Sequence, residues 1–184
     1  EILSDTVMVY GNVDEVELVL NGKTIRRQTA DKGPDSDYIP VPNGGNGKNL
    51  HFPPFTFYGV PKERGVLKAV GYHQGKKVAE YTVKTPGVPE RLDITYFESG
   101  KPATKNDLLI VYVRMLDKQG VLCPVNGIPV ELSVQGGEIV GPTSYPLEAG
   151  VASFLVRTGE ISKININATG KGFSTRKSLK VGKE

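Results

Sequence analysis

Tryptophan is absent from the 184 residues, cysteine occurs once, at Cys123, and histidine twice, at His51 and His73. One cysteine excludes an internal disulfide and any metal cluster built on several thiolates. Without Trp, the widest flat surface on which a sugar ring stacks is missing, and the 8 Tyr and 6 Phe are scattered. No apolar run approaches the ~20 residues of a membrane-spanning helix, and nowhere does a helical hydrophobic period persist over a useful length. Charge of one sign is also lacking. The chain holds 23 Lys and Arg against 20 Asp and Glu, with no basic run or stripe, which argues against nucleic acid as a partner.

Turn formers are plentiful instead. The 22 Gly and 13 Pro exceed average usage, and they punctuate short segments in which apolar and polar residues alternate. In Glu15-Val16-Glu17-Leu18-Val19-Leu20, Val16, Leu18 and Leu20 share one face and Glu15 and Glu17 the other, which predicts a strand buried on one side. Asn21-Gly22 follows it, a pair that accepts positive φ at both positions as a type I′ hairpin requires. Strands are expected near residues 6–10, 14–20, 23–27, 54–60, 65–72 and 77–84, then near 91–97, 107–116, 128–135, 150–157, 161–169 and 174–181. Leu109, Val111, Val113 and Met115 form one expected core face, and Ile164, Ile166 and Ala168 another.

Between the two groups lies Thr85-Pro86-Gly87-Val88-Pro89, which cannot continue a strand ladder and suits a short stiff linker. The expected fold is all-β, two tandem immunoglobulin-like β-sandwich domains spanning residues 1–87 and 88–184. One segment breaks the pattern. From Gln28 to Pro53 the sequence is rich in Asp, Asn, Gly and Pro, and a loop of that length inside a compact domain is usually functional or mobile.

Two motifs carry a family resemblance. Val7-Met8-Val9-Tyr10-Gly11-Asn12-Val13-Asp14-Glu15-Val16-Glu17-Leu18, closed by Asn21-Gly22-Lys23, resembles the start of the β-sandwich that follows the catalytic barrel in family 2 glycoside hydrolases, the β-galactosidase family. Gly65-Val66-Leu67-Lys68-Ala69-Val70-Gly71-Tyr72 and Gly75-Lys76-Lys77-Val78-Ala79 fall where that family places its next hairpin. The second half, through Val111 to Gly120, Pro129 to Val134 and Gly136-Gly137-Glu138-Ile139-Val140-Gly141, is similar to the bacterial immunoglobulin-like domain of invasin-type adhesins and of the far end of many family 2 glycosidases. The resemblance implies a non-catalytic C-terminal accessory region, cut from a larger enzyme, whose partners are the catalytic barrel and a second subunit or glycans. It implies a bacterial periplasmic or secreted setting. The chain starts on Glu1 rather than Met, and an excised piece is expected.

Catalytic chemistry of that family needs two carboxylates flanking the scissile bond. Asp14, Glu15, Glu17, Glu63 and Glu131 fall on strand faces or turns and are read as solvated surface, so no catalytic residue is assigned here. His73 is read as a hairpin-turn residue. Asp31, Asp35 and Asp37 offer oxygens to a hard cation but lack the spacing and closing glutamate of a calcium loop, and neither a metal nor another cofactor is expected. Cys123 has no basic neighbour within two residues and is read as a plain thiol. Tyr38 in the long loop and Tyr72, directed away from the Leu67/Ala69 face, are the substrate-binding candidates. Two other classes remain open: a carbohydrate-binding module, which needs an aromatic platform or a polar groove, and a stalk of a surface adhesin, which needs end-to-end sandwiches without a docking face.

Overall fold

The computed structural model describes residues 5–31, 53–97 and 102–182. These residues form fourteen β-strands, and no helix occurs among them. The chain divides into two compact units, Glu1–Thr85 and Pro86–Glu184.

In the first unit, β1 (Val7–Val9) pairs antiparallel with β4 (Phe55–Phe57), while β2 (Glu15–Leu20), β3 (Lys23–Thr29), β5 (Val66–His73) and β6 (Lys76–Lys84) form a four-stranded antiparallel sheet in the order β3-β2-β5-β6. The alternation in β2 does what it predicts. Val16, Leu18 and Leu20 are buried, and Val16 and Leu18 build the core of this unit with Phe55, Phe57 and Val60. The sixth and second expected strands match closely, but the one expected near 54–60 contracts to Phe55–Phe57. Pro53 and Pro54 precede it, and Gly59 (φ 68°) and Pro61 follow, so the ladder has no room to extend. Gln28 and Thr29, expected to open the long loop, instead end β3. An extra residue, Ile25, is accommodated by a bulge opposite Leu18 and Val19. Residues 32–52 of that loop lie outside the described residues.

Asn21 and Gly22 have φ of 51° and 81°, the two positive values of the expected hairpin. The Asn21 side chain has a second task. Its Oδ1 accepts from the Val66 N–H at 2.8 Å and its Nδ2 donates to the Arg64 carbonyl at 3.1 Å, pinning the β2–β3 turn to the start of β5. Gly65 (φ 143°) makes this possible, because a Cβ there would lie 1.8 Å from Asn21 Oδ1. Asn21→Gly keeps the turn geometry and removes only the tie, and it is expected to cost about 1 kcal/mol. Thermal melts of the two proteins check this, and an unchanged midpoint would show that the tie contributes nothing.

In the second unit, β7 (Arg91–Tyr96), β8 (Leu108–Leu116), β10 (Gly137–Ile139) and β12 (Val151–Thr158) form one antiparallel sheet in the order β10-β12-β8-β7. The strands β9 (Pro129–Gln135), β11 (Ser144–Pro146), β13 (Lys163–Gly170) and β14 (Phe173–Lys180) form the other, in the order β11-β9-β13-β14. Leu109, Val111, Val113 and Met115 from one sheet and Ile164, Ile166 and Ala168 from the other are buried between them, as their alternation predicts. Phe154 adds an edge-to-face contact with Tyr145, ring centroids 5.4 Å apart. The strands β10 and β11 have no counterpart in the sequence reading. Each is three residues long and carries Gly or Pro, so neither has enough alternation to declare itself. Gly137 in β10 is forced by close approach, since a Cβ would sit 2.5 Å from the Arg157 carbonyl oxygen of the neighbouring strand.

Two of the three buried polar side chains among the described residues, Thr158 and Asp117, lie in this unit. Thr158 donates to the Thr104 carbonyl at 2.6 Å and accepts from the Asp107 N–H at 2.8 Å. Asp117 accepts from the Gly87 N–H at 2.7 Å and the Val121 N–H at 2.8 Å, tying the entry of this unit to the turn after β8. Cys123 is buried next to that turn, and burial pushes its thiol pKa up. It packs as a core side chain of this unit.

Candidate functional site

The polar, outward face of the first unit's sheet brings together three of the candidate residues, Glu15, Glu17 and Tyr72. Register explains why. Glu15 lies opposite Tyr72, and Glu17 lies opposite Arg27, so Glu15, Glu17, Arg27 and Tyr72 stand on the face opposite Leu18 and Ala69. Arg27 reaches diagonally to Glu15 Oε2 at 2.6 Å, and its guanidinium carbon sits 3.7 Å from the centroid of the Tyr72 ring. The Tyr72 hydroxyl donates to Glu17 Oε2 at 2.7 Å, and the Thr24 hydroxyl donates to Glu17 Oε1 at 2.6 Å.

The electrostatics follow from these bonds. The Thr24 hydroxyl, then the Tyr72 hydroxyl and the Arg27 charge, hold the Glu17 carboxyl below its ordinary range. The same bond to Glu17 raises the Tyr72 phenol above its own. Asp14, Glu80, Asp117 and Glu160 are likewise lowered, each chiefly by a hydrogen bond to its carboxylate. A glycosidase acid needs the opposite, a carboxyl held protonated near neutral pH. Glu17 and its neighbours are carboxylates committed to partners.

The other candidates take plainer places. His73 Nδ1 lies 3.0 Å from Asp14 Oδ1, and Asp14 Oδ2 accepts from the Gln74 N–H at 2.7 Å, so Asp14 caps the β5–β6 turn through Gln74 (φ 48°) and Gly75 (φ 75°). Both oxygens of Asp31 go to Thr56, one to its N–H at 3.0 Å and one to its hydroxyl. The sequence gives no hint of this, because the two residues are separated by the whole long loop. Asp35, Asp37 and Tyr38 lie outside the described residues. Among the described residues no three His, Cys, Asp or Glu side chains are grouped so as to hold a metal ion. No described helix is long and apolar enough to cross a membrane.

Residues 4–79 match a family described as a domain of unknown function, DUF4982. A β-galactosidase of Rhizobium radiobacter is 30% identical over 129 residues, a match covering 69% of this chain and 92% of that protein. The chain belongs to glycoside hydrolase family 2. Its likeness extends to a β-galactosidase of Thermoanaerobacter pseudethanolicus, 30% identical over 84% of this chain but only 20% of that protein. A solved structure of a family 2 glycosyl hydrolase from Bacteroides cellulosilyticus superposes with a TM-score of 0.72 at 25% identity, covering 95% of this chain and 24% of that one. This family 2 chain thus spans a fifth or less of the length of several of its curated relatives.

Proposed function

We propose that the chain is the non-catalytic C-terminal β-sandwich region of a family 2 glycoside hydrolase acting on β-galactosides. It extends the enzyme beyond its catalytic barrel and docks on the barrel or a second subunit. One observation carries the reading: nearly all of this chain aligns with relatives of which it forms only a small part. The commitment of Glu17 and the other lowered carboxyls to hydrogen-bond partners supports it, since none is poised as an acid.

The purified chain is expected to release no nitrophenol from nitrophenyl β-galactoside or β-glucuronide under conditions where the full-length enzyme turns over. Turnover above a heat-inactivated control, abolished by Glu17→Gln, would overturn the reading.

A second reading, sugar binding through Tyr72, is favoured by the position of that ring on a polar sheet face. Arg27 already covers one face of the ring, so stacking is confined to the other. Calorimetric titration with galactose and galactan is expected to show at most weak binding, lost on Tyr72→Ala and indifferent to chelator. Tight binding abolished by chelator would contradict this and point to a metal.

A further inference from the structure

The inner face of the first unit's sheet is unevenly covered. Leu67 pairs with Val83 and Ala69 with Tyr81, and Leu18 lies opposite Ala69, so Tyr81 and Val83 point to the same side as the core residue Leu18. Leu18 is buried, yet Tyr81 is 73% and Val83 45% exposed. They floor an apolar groove of about 360 Å³ with Leu67 and Ala69, and Met8 and Tyr10 line its β1 side. Inward-facing apolar side chains left in water mark a sandwich that lacks part of one layer.

The strand beside the groove supplies an independent observation. In β4, the Thr56 N–H goes to Asp31 and its carbonyl accepts from Gln28 Nε2 at 2.9 Å. Both backbone groups of Thr56 therefore point away from β1. In an antiparallel pair the hydrogen-bonded positions alternate, so the β1–β4 bonds fall at Val7–Phe57 and Val9–Phe55, and the Met8 N–H and C=O point away from β4. Side chains close the outer edge of β4. On the outer edge of β1 no strand is paired among the described residues.

A free strand edge over an apolar floor selects one kind of occupant: an extended segment that bonds to Met8 and places apolar side chains, at alternate positions, over Tyr81 and Val83. Strands adjacent in sequence usually lie adjacent in space. Among the described residues the chain after β1 crosses to the other sheet as β2, so the sequence neighbour that remains to lie beside it is the segment before β1. We propose that the β1 edge and its groove receive a β-strand from the part of the enzyme chain that precedes β1, outside these 184 residues. The sandwich is thereby completed only in the full-length protein, and strand addition is the mode by which this region is held to the rest of the enzyme. The inference rests on the reading of the chain as part of a longer family 2 hydrolase, as in the Thermoanaerobacter pseudethanolicus relative, of which this chain covers only 20%.

Amide hydrogen exchange on the full-length enzyme and on the 184-residue chain tests it. The Met8 amide is expected to exchange more slowly in the full-length enzyme by on the order of a hundredfold. Tyr81→Glu is expected to abolish that difference while leaving the melting of the 184-residue chain unchanged. Equal Met8 exchange in the two proteins would overturn the proposal. So would protection already present in the isolated chain, which sedimentation equilibrium would assign to a second copy if dimeric or to the chain's own residues if monomeric. Hydrolysis of β-galactosides by a full-length enzyme with an unprotected Met8 sinks the added strand and spares the proposed function. A full-length protein without a hydrolase domain removes both.

Discussion

Phe57→Ala is expected to destabilise the first unit by about 3–5 kcal/mol and to leave the second untouched. Phe57 is only 1% exposed and Phe55 fully buried, and both sit on a strand of three residues. With Val16, Leu18 and Val60 they make up the buried cluster of this unit among the described residues. Partly buried Val7, Val9, Val13, Ile25 and Leu67 pack around this cluster, and how far they close over the space an alanine leaves sets where in that range the loss falls. Single domains hold about 5–15 kcal/mol in total, so the loss is a large share of this unit's stability. Urea unfolding followed by circular dichroism should show two transitions, with only the earlier one displaced. Phe57→Leu, which keeps most of the volume, should displace it less. A common shift of both transitions would show that the units do not unfold independently, against the two-domain reading proposed from the sequence.

The second large effect is expected at Asp117. Its carboxylate is buried and receives backbone N–H donors from Gly87 and Val121, with Gln119 and Gly120 also oriented toward it. The Gly87 bond, ahead of the cost of burial, holds the pKa below its ordinary value of 3.8. A carboxyl with a depressed folded-state pKa contributes stability that is fully present above the unfolded value. That stability is lost as pH falls through the folded one. The melting temperature of the second unit should therefore be level above about pH 5 and fall below about pH 4. Asp117→Asn removes the charge, so that share of the acid dependence should vanish, and the variant should melt lower at pH 7 because its amide donates where a second acceptor is needed. Equal slopes for variant and parent between pH 5 and 2 would show that other carboxyls govern acid unfolding.

Local pattern made much of this protein legible from its residues. Alternation at period two, in Val16-Glu17-Leu18 or Ile164-Asn165-Ile166, fixes a strand and its buried face within a few residues, and Asn21-Gly22 fixes the turn between two strands. The short strands β10 and β11 were not legible, because each is three residues long and one of the three is Gly or Pro, whereas the equally short β1 and β4 are Val-Met-Val and Phe-Thr-Phe.

At the candidate site the division is sharper. The sequence alone determined that Tyr72 faces away from Leu67 and Ala69, since side chains on a strand alternate. Only the tertiary structure decided that Arg27 lies over its ring and that its hydroxyl serves Glu17, because both depend on cross-strand register. The pairings of Asp31 with Thr56, Asn21 with Val66 and Asp117 with Gly87 join residues 25 to 45 apart, and no local pattern encodes which distant backbone group a carboxylate or amide will meet. The exposure of Tyr81 is of the same kind. Register with Ala69 assigns it to the inner face, and whether that face is covered depends on which strands are present to cover it.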